Sequence, residues 1–240
     1  MAAPVPQGAA GTGDAMPPAL CPDLSAIETA TLGHFLTEGF MAPAIQALIP
    51  DRRIWGPALT VRLPGVDGSA LVEALSIAAP GEVIVIDRCG DLRHACFGAV
   101  TAQAAVARGV AGVVIDGFVT DLSALLALGL PIWCRGRSPV TTRNRQMAGH
   151  VGGTVTCGGS MVSRGDIILA DESGVVVLDP ATVAENAAIA RQMQHAEIDI
   201  LRRLKAGETL KAIQAETKPD DDGTRRSLLN LSFRQQRGQP

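Results

Sequence analysis

An α/β fold built on parallel strands is predicted by three features of the sequence. Across residues 86–121 the run IDRCGDLRHACFGAVTAQAAVARGVAGVVIDGFVTD alternates apolar strands with helical stretches of about ten residues, the rhythm of βα units. EVIVID (82–87) and GVVID (112–116) are short continuous apolar runs bounded by turn residues, as expected of strands covered on both faces. From Val151 onward the texture changes to short apolar segments between Gly and Asp turns, which reads as an antiparallel or mixed β layer.

The elements follow in order. Residues 1–22 read as a disordered leader of Ala, Gly and Pro, lacking the basic and apolar regions of a signal peptide. Residues 24–48 read as an amphipathic helical stretch interrupted near Gly33 and Gly39 and stopped by Pro50. WGPALTVR (55–62) is apolar enough for a largely buried strand. Ser69 is placed to cap a helix, SALVEALSIA, that stops at Pro80-Gly81. After the strand 82–87, a turn at Gly98 opens the Ala-rich helix, 112–116 forms the next strand, and DLSALLALGLPIWC (121–134) adds a short helix and a third strand. Beyond the β layer a long helix over 181–204 ends at Ala206-Gly207, and a second helix covers 208–216. The chain is therefore read as a leader (1–22), one domain (23–218) and a loose polar tail (219–240).

Composition excludes several function classes. A chain of 240 residues with 47% hydrophobic residues sustains a sizeable core within one domain. Its 21 basic and 24 acidic residues leave no electrostatic footprint for nucleic acid or an anionic membrane. An aromatic content of 3%, with no Tyr, supplies no stacking platform for single strands. Cys21, Cys89, Cys96, Cys134 and Cys157 are odd in number and never form a C-x-x-C pair, so they read as small buried hydrophobes of a reducing compartment. No apolar run approaches the roughly 20 residues of a membrane span, and a soluble cytoplasmic protein is expected.

Chemistry concentrates in two loops. Gly98, Ala99, Val100 and Thr101 begin the Ala-rich helix, where unpaired amides favour a carboxylate or phosphate. Thr120 and Asp121 close the following strand, and Asp121 has two readings. It caps the helix LSALLALG, or it holds a divalent cation whose other ligands are mostly water, the habit of Mg²⁺. Two such loops on neighbouring strands form a crevice for a small anionic ligand. Arg88, Asp91, Arg93 and His94 precede them, as solvated loop residues or as charge supplied to the crevice. Arg135, Arg137, Arg143 and Arg145 form a basic patch that reads as an exposed loop or a subunit contact. The four histidines lack ligand spacing, and there is no G-x-S-x-G, Walker A loop or strand-linked G-x-G-x-x-G.

At this point the motifs carry a resemblance. The succession WGPALTVR, PGEVIVID, FGAVTAQAAVARGVAGVVIDGFVTD, RGRSPV and TVTCGGSMVSRGDIILADESGVVVL resembles the family that joins the regulator of ribonuclease activity A with the class II pyruvate aldolases. Cys157-Gly158-Gly159, Gly165-Asp166, Ala170-Asp171 and Gly174-Val175 match its last block, and the resemblance covers roughly residues 24–218. It implies a single domain of the swivelling β/β/α type with C-terminal helices, assembled as a trimer or a pair of trimers with the cleft between subunits. It also implies a lyase similar to 4-hydroxy-4-methyl-2-oxoglutarate aldolase and oxaloacetate decarboxylase, in which Mg²⁺ or Mn²⁺ chelates a small 2-oxo acid and stabilises the enolate left by C–C cleavage.

Carried over by position, the family's G-[DE]-x-x loop falls on Gly98, Ala99, Val100 and Thr101 as substrate-binding residues. Its Arg-Asp pair falls on Thr120, also substrate-binding, and on Asp121 as catalytic metal ligand. Ala99 stands where the family has an acidic residue and Thr120 where it has arginine. Losing a bidentate guanidinium removes a contact worth about 1.5–3 kcal/mol, and the lyase reading expects Arg93, Arg88 or a partner-subunit arginine as its catalytic replacement. Two alternatives stand beside it. One is a non-catalytic regulator or scaffold, like the family members that inhibit a ribonuclease through protein contacts; the other is an enzyme whose Thr120 offers a hydroxyl to a less anionic substrate.

Overall fold

Every residue of the strand Val83–Asp87 is buried, the condition of a strand with both faces covered. In the computed structural model, which describes residues 22–145 and 149–216, this strand lies inside a long mixed sheet. The elements in chain order are α1 (Thr29–Leu32), β1 (Gln46–Ala47), β2 (Ile54–Arg62), α2 (Ser69–Ile77), β3 (Val83–Asp87), β4 (Ala95–Phe97), α3 (Ala99–Ala107) and β5 (Gly112–Val119). There follow α4 (Leu122–Leu128), β6 (Ile132–Arg137), β7 (His150–Val151), β8 (Thr154–Cys157), β9 (Ser160–Ser163), β10 (Ile167–Asp171), β11 (Gly174–Leu178), α5 (Val183–Lys205) and α6 (Leu210–Glu216).

The main sheet runs β1-β6-β5-β3-β2-β10-β11, with β4 added to β5 and β7 to β2, while β8 and β9 form a separate hairpin. Pairings among β2, β3, β5 and β6 are parallel, as the βα rhythm requires. The later strands β10 and β11 extend the sheet antiparallel from β2, in line with the change of texture after Val151.

Strand side chains alternate between two cores because the strand period is two. Leu59, Ile84, Ile86, Val113, Ile115 and Ile132 join Leu71 of α2, Ala102 of α3 and Leu125 of α4 in one buried cluster. Their neighbours Ala58, Val83, Val85, Val114 and Trp133 face the other way, onto Val155 and Val162 of the β8–β9 hairpin. A third cluster packs Ile167, Leu169, Val176 and Leu178 against Leu32 of α1 and Ala187 of α5. A one-residue slip of any central strand would exchange its two sets of side chains, so the register is strongly specified.

Several sequence expectations are corrected. Residues 24–48 are not a long interrupted helix. Only α1 is helical, after which Met41 N–H donates to Val175 O at 3.0 Å and Val177 N–H to Gly39 O at 2.9 Å. Gly39, at φ 87, passes so close to β11 that a Cβ there would lie 2.5 Å from Val177 O, a path that only glycine allows. Ser69 is the first residue of α2 rather than its cap, which is Gly68; the Ser69 N–H and hydroxyl both donate to Asp67 Oδ1, at 3.0 and 2.7 Å. Strand β5 runs on to Val119, and the loop before Gly98 contains the unexpected strand β4. Among the cysteines, Cys96, Cys134 and Cys157 are buried but Cys89 is exposed. The helices expected over 181–204 and 208–216 are α5 and α6. Cys21, the rest of the leader up to residue 21 and the tail (219–240) lie outside the described residues. No helix of the described residues is long and apolar enough to cross a membrane. The result is a mixed α/β domain with C-terminal helices.

Candidate functional site

Strands β4 and β5 are parallel neighbours, so their carboxyl ends open side by side, where α/β sheets form ligand crevices. β4 leads through Gly98 into α3, and β5 leads through Thr120 and Asp121 into α4. The Thr120 N–H donates to Phe97 O at 2.9 Å, which ties the two exits together. A Cβ on Gly98 would lie 2.5 Å from Asp121 Oδ2 and 2.7 Å from Thr120 Cγ2. No side chain fits there, so glycine sets how closely the start of α3 approaches Asp121.

Asp121 occupies the cap position of α4 but makes no side-chain cap, and its backbone is left-handed at φ 54, ψ 43. Such a conformation costs about 1–3 kcal/mol for a non-glycine residue, and Asp tolerates it better than most. The capping reading of its carboxylate is therefore corrected: Oδ2 accepts the Ala99 N–H at 3.0 Å, and the Thr120 hydroxyl lies 3.5 Å from Oδ1. The Thr101 hydroxyl accepts the Gly98 N–H at 2.9 Å. The amides of Val100 and Thr101 have no acceptor within the helix and sit at its positive end.

A cavity of about 420 Å³ opens over these loops. Phe97 and Cys96 of β4 line one part of it, and Leu71 and Val72 of α2 another. A further wall, which the sequence did not signal, is formed by Thr141, Thr142 and Asn144. Ala95 N–H donates to Val140 O at 2.7 Å and Thr142 N–H to Ala95 O at 3.0 Å, which carries Thr141, Thr142 and Asn144 to the cavity. In the sequence these uncharged polar residues are hidden by the arginines beside them. Burial pushes the Cys96 thiol up to about 12, so it stays protonated at neutral pH and is no nucleophile.

The expected site residues divide cleanly. Gly98, Ala99, Val100, Thr101, Thr120 and Asp121 all line this one cavity. Arg93 is exposed and is not among the lining residues; its carbonyl accepts the Ser138 hydroxyl at 2.7 Å. Arg88, expected in a solvated loop or at the crevice, is fully buried. Its guanidinium donates to Leu63 O and Gly65 O and pairs with Asp91 at 3.1 Å, so it braces neighbouring loops. Burial raises the Asp91 carboxyl, but the amides of His94 and Arg93, the His94 ring and Arg88 outweigh it and hold the group below its usual range. Arg135, from the basic patch, pairs with Asp116, whose other oxygen accepts the Gly158 N–H at 2.8 Å. Arg137, Arg143 and Arg145 are exposed and lie outside the lining.

No group of three or more His, Cys, Asp or Glu that could hold a metal occurs among the described residues. Asp121 is the single carboxylate among the described residues lining the cavity, which fits a hydrated Mg²⁺ or Mn²⁺ held through one protein oxygen and water and does not fit a dedicated zinc cage.

The family model described as RraA-like, Aldolase/RraA, matches residues 23–177. A Halalkalibacterium halodurans protein provisionally named 4-hydroxy-4-methyl-2-oxoglutarate aldolase is 33% identical over 175 residues, covering 73% of this chain and 82% of that one. A Xanthomonas campestris pv. campestris protein with the same provisional name is 39% identical over 122 residues, covering 51% of this chain and 72% of that one. Among solved structures, a Streptomyces coelicolor protein described as an unusual member of the RNase ES inhibitor RraA family superposes with a TM-score of 0.67 at 25% identity, covering 79% of this chain and 98% of that one. The RNA-processing inhibitor RraA from Thermus thermophilis gives a TM-score of 0.57 at 29% identity, covering 64% and 93%.

Proposed function

The chain belongs to the RraA-like, Aldolase/RraA family, and from that membership we propose that it is a divalent-metal-dependent lyase that cleaves a C–C bond of a 2-oxo acid. What carries the reading is the convergence of the Asp121 carboxylate and the amino end of α3 on one cavity. A cation site and an anion site side by side are what a 2-oxo carboxylate needs.

In this reading Asp121 would hold the cation through its carboxylate, which the Ala99 N–H orients by donating to Oδ2. The amides of Val100 and Thr101 receive the substrate carboxylate at the positive end of α3. Thr120, Thr142 and Asn144 supply neutral hydrogen-bonding groups that orient the rest of the substrate. The chemistry the cation supplies is Lewis-acid polarisation of the 2-oxo group. Arg93, expected as a catalytic cation, has no part in this proposal because it lies outside the cavity lining. Assembly as a homotrimer or hexamer and a cytoplasmic location belong to the same proposal, the first checked by light scattering.

The test is pyruvate release from a panel of 4-hydroxy-2-oxo acids and oxaloacetate, with and without Mg²⁺ or Mn²⁺, beside Mg²⁺ titration by calorimetry. Release that needs metal, and loss of both release and Mg²⁺ binding in Asp121→Asn, is the expected result. Absence of metal binding by the wild-type protein would sink the proposal whatever the panel shows.

One observation favours a second reading, a regulator that binds a ribonuclease, like the relatives whose descriptions name them inhibitors. None of the described residues lining the cavity is Arg, Lys or His, and a site for protein contacts has no need of one. Inhibition of a ribonuclease by both wild type and Asp121→Asn, with no pyruvate release by either, would favour it over the lyase.

A further inference from the structure

We infer that the cavity selects 2-oxo monocarboxylates whose remaining chain is uncharged, and discriminates against 2-oxo diacids. The inference rests on the lyase reading and names the substrate class of that same site. Among the described residues lining the cavity, Asp121 is the one acidic side chain and none is Arg, Lys or His, while Cys96 stays protonated at neutral pH. One substrate carboxylate has a place, at the amides of Val100 and Thr101 beside a cation on Asp121. Asp121 and that first carboxylate already balance the charge of the dication, so a second carboxylate would enter with no cationic side chain among the described lining residues to pair it, and a desolvated charge left unpaired disfavours binding.

Thr120, which lines the cavity beside Asp121, carries a small neutral side chain. The Thr120 methyl faces the start of α3, where a Cβ on Gly98 would meet Cγ2 at 2.7 Å, and its hydroxyl lies 3.5 Å from Asp121 Oδ1. The nearby arginines are committed or outside. Arg88 is buried on Leu63, Gly65 and Asp91, Arg135 is paired with Asp116, and Arg93, Arg137, Arg143 and Arg145 do not line the cavity. Leu71, Val72, Phe97 and Val100 present apolar surface instead, which rewards an alkyl tail by removing it from water.

The experiment compares two non-cleavable ligands of equal chain length that differ only in a terminal carboxylate, 2-oxopentanoate and 2-oxoglutarate. Each is titrated calorimetrically into the Mg²⁺-loaded protein. The expected result is at least about tenfold tighter binding of 2-oxopentanoate, the discrimination of one unpaired charged contact. Thr120→Arg is expected to narrow or reverse that preference. Equal or tighter binding of 2-oxoglutarate by wild type overturns the selectivity and leaves the lyase reading standing. Binding of neither ligand by protein that does bind Mg²⁺ overturns both.

Discussion

Gly98 and Asp121 contest one volume: a Cβ on Gly98 would lie 2.5 Å from the Asp121 Oδ2 that accepts the Ala99 N–H at 3.0 Å. The carboxylate is held by the start of α3 only because residue 98 lacks a side chain. This contact uses only the backbone of residues 98 and 99 and the carboxylate of Asp121, so it does not depend on which side chain stands at position 120.

Gly98→Ala should therefore act on the site through Asp121. Overpacking of this kind costs about 1–3 kcal/mol, so the urea midpoint is expected to fall. Mg²⁺ affinity should fall at least tenfold as the carboxylate is pushed aside. Wild-type Mg²⁺ affinity in a folded Gly98→Ala protein would show that Asp121 is placed by something other than this contact.

The central fold was legible because its signals are local. EVIVID and GVVID are buried on both faces and their residues must alternate between two cores, while Gly98 and Asp121 are marked by the helical stretches that begin just after them. Other features depend on partners distant in sequence. Strand β4 exists because Ala95 and Phe97 pair with the far end of β5, and Thr142 reaches the cavity because Ala95 accepts its N–H. The 24–48 stretch has helical spacing, but β11 offers its residues 39–41 backbone hydrogen bonds that the spacing cannot reveal. Arg88 stands between Asp87 and Cys89 in a polar loop, and only the absent side chain of Gly117, where a Cβ would meet Arg88 Cγ at 2.5 Å, makes room to bury it.

The structural and chemical roles of Asp121 can be separated by two substitutions. Its left-handed backbone suits glycine and strains alanine, so Asp121→Gly should be about 1 kcal/mol more stable than Asp121→Ala in urea unfolding. Both should lose Mg²⁺ binding alike. Equal stability of the two would mean that the chain relaxes out of φ 54 without cost.

Asp171 predicts a large effect far from the cavity. Its buried carboxylate accepts the Thr29 N–H at 2.8 Å, the Thr29 hydroxyl at 2.6 Å and the Ser173 N–H at 2.9 Å. Its carbonyl accepts the Trp133 ring N–H at 2.8 Å. Asp171→Ala strands three donors and should cost about 2–4 kcal/mol, read by denaturation and accompanied by a changed Trp133 fluorescence. The conservative Trp133→Phe, which strands only a carbonyl, should cost less.

The Asp91 carboxylate gives the acid limb of stability a specific origin. Burial alone would raise its pKa, but donors from His94, Arg93 and Arg88 hold it below the ordinary value. A carboxyl lowered in the folded state favours folding while it is ionised there and would be ionised unfolded. That contribution is fully present above about pH 4, the ordinary range of aspartate, and is lost as pH falls through the lower folded value. Asp91→Asn removes the charge that Arg88 and the two amides face, so it should lower stability at neutral pH by about 1.5–3 kcal/mol. The gap between wild type and variant should shrink as pH falls below about 4. Denaturant unfolding of both proteins across that range checks it, and a gap that stays constant down to pH 2 would mean the Asp91 charge does not stabilise the fold.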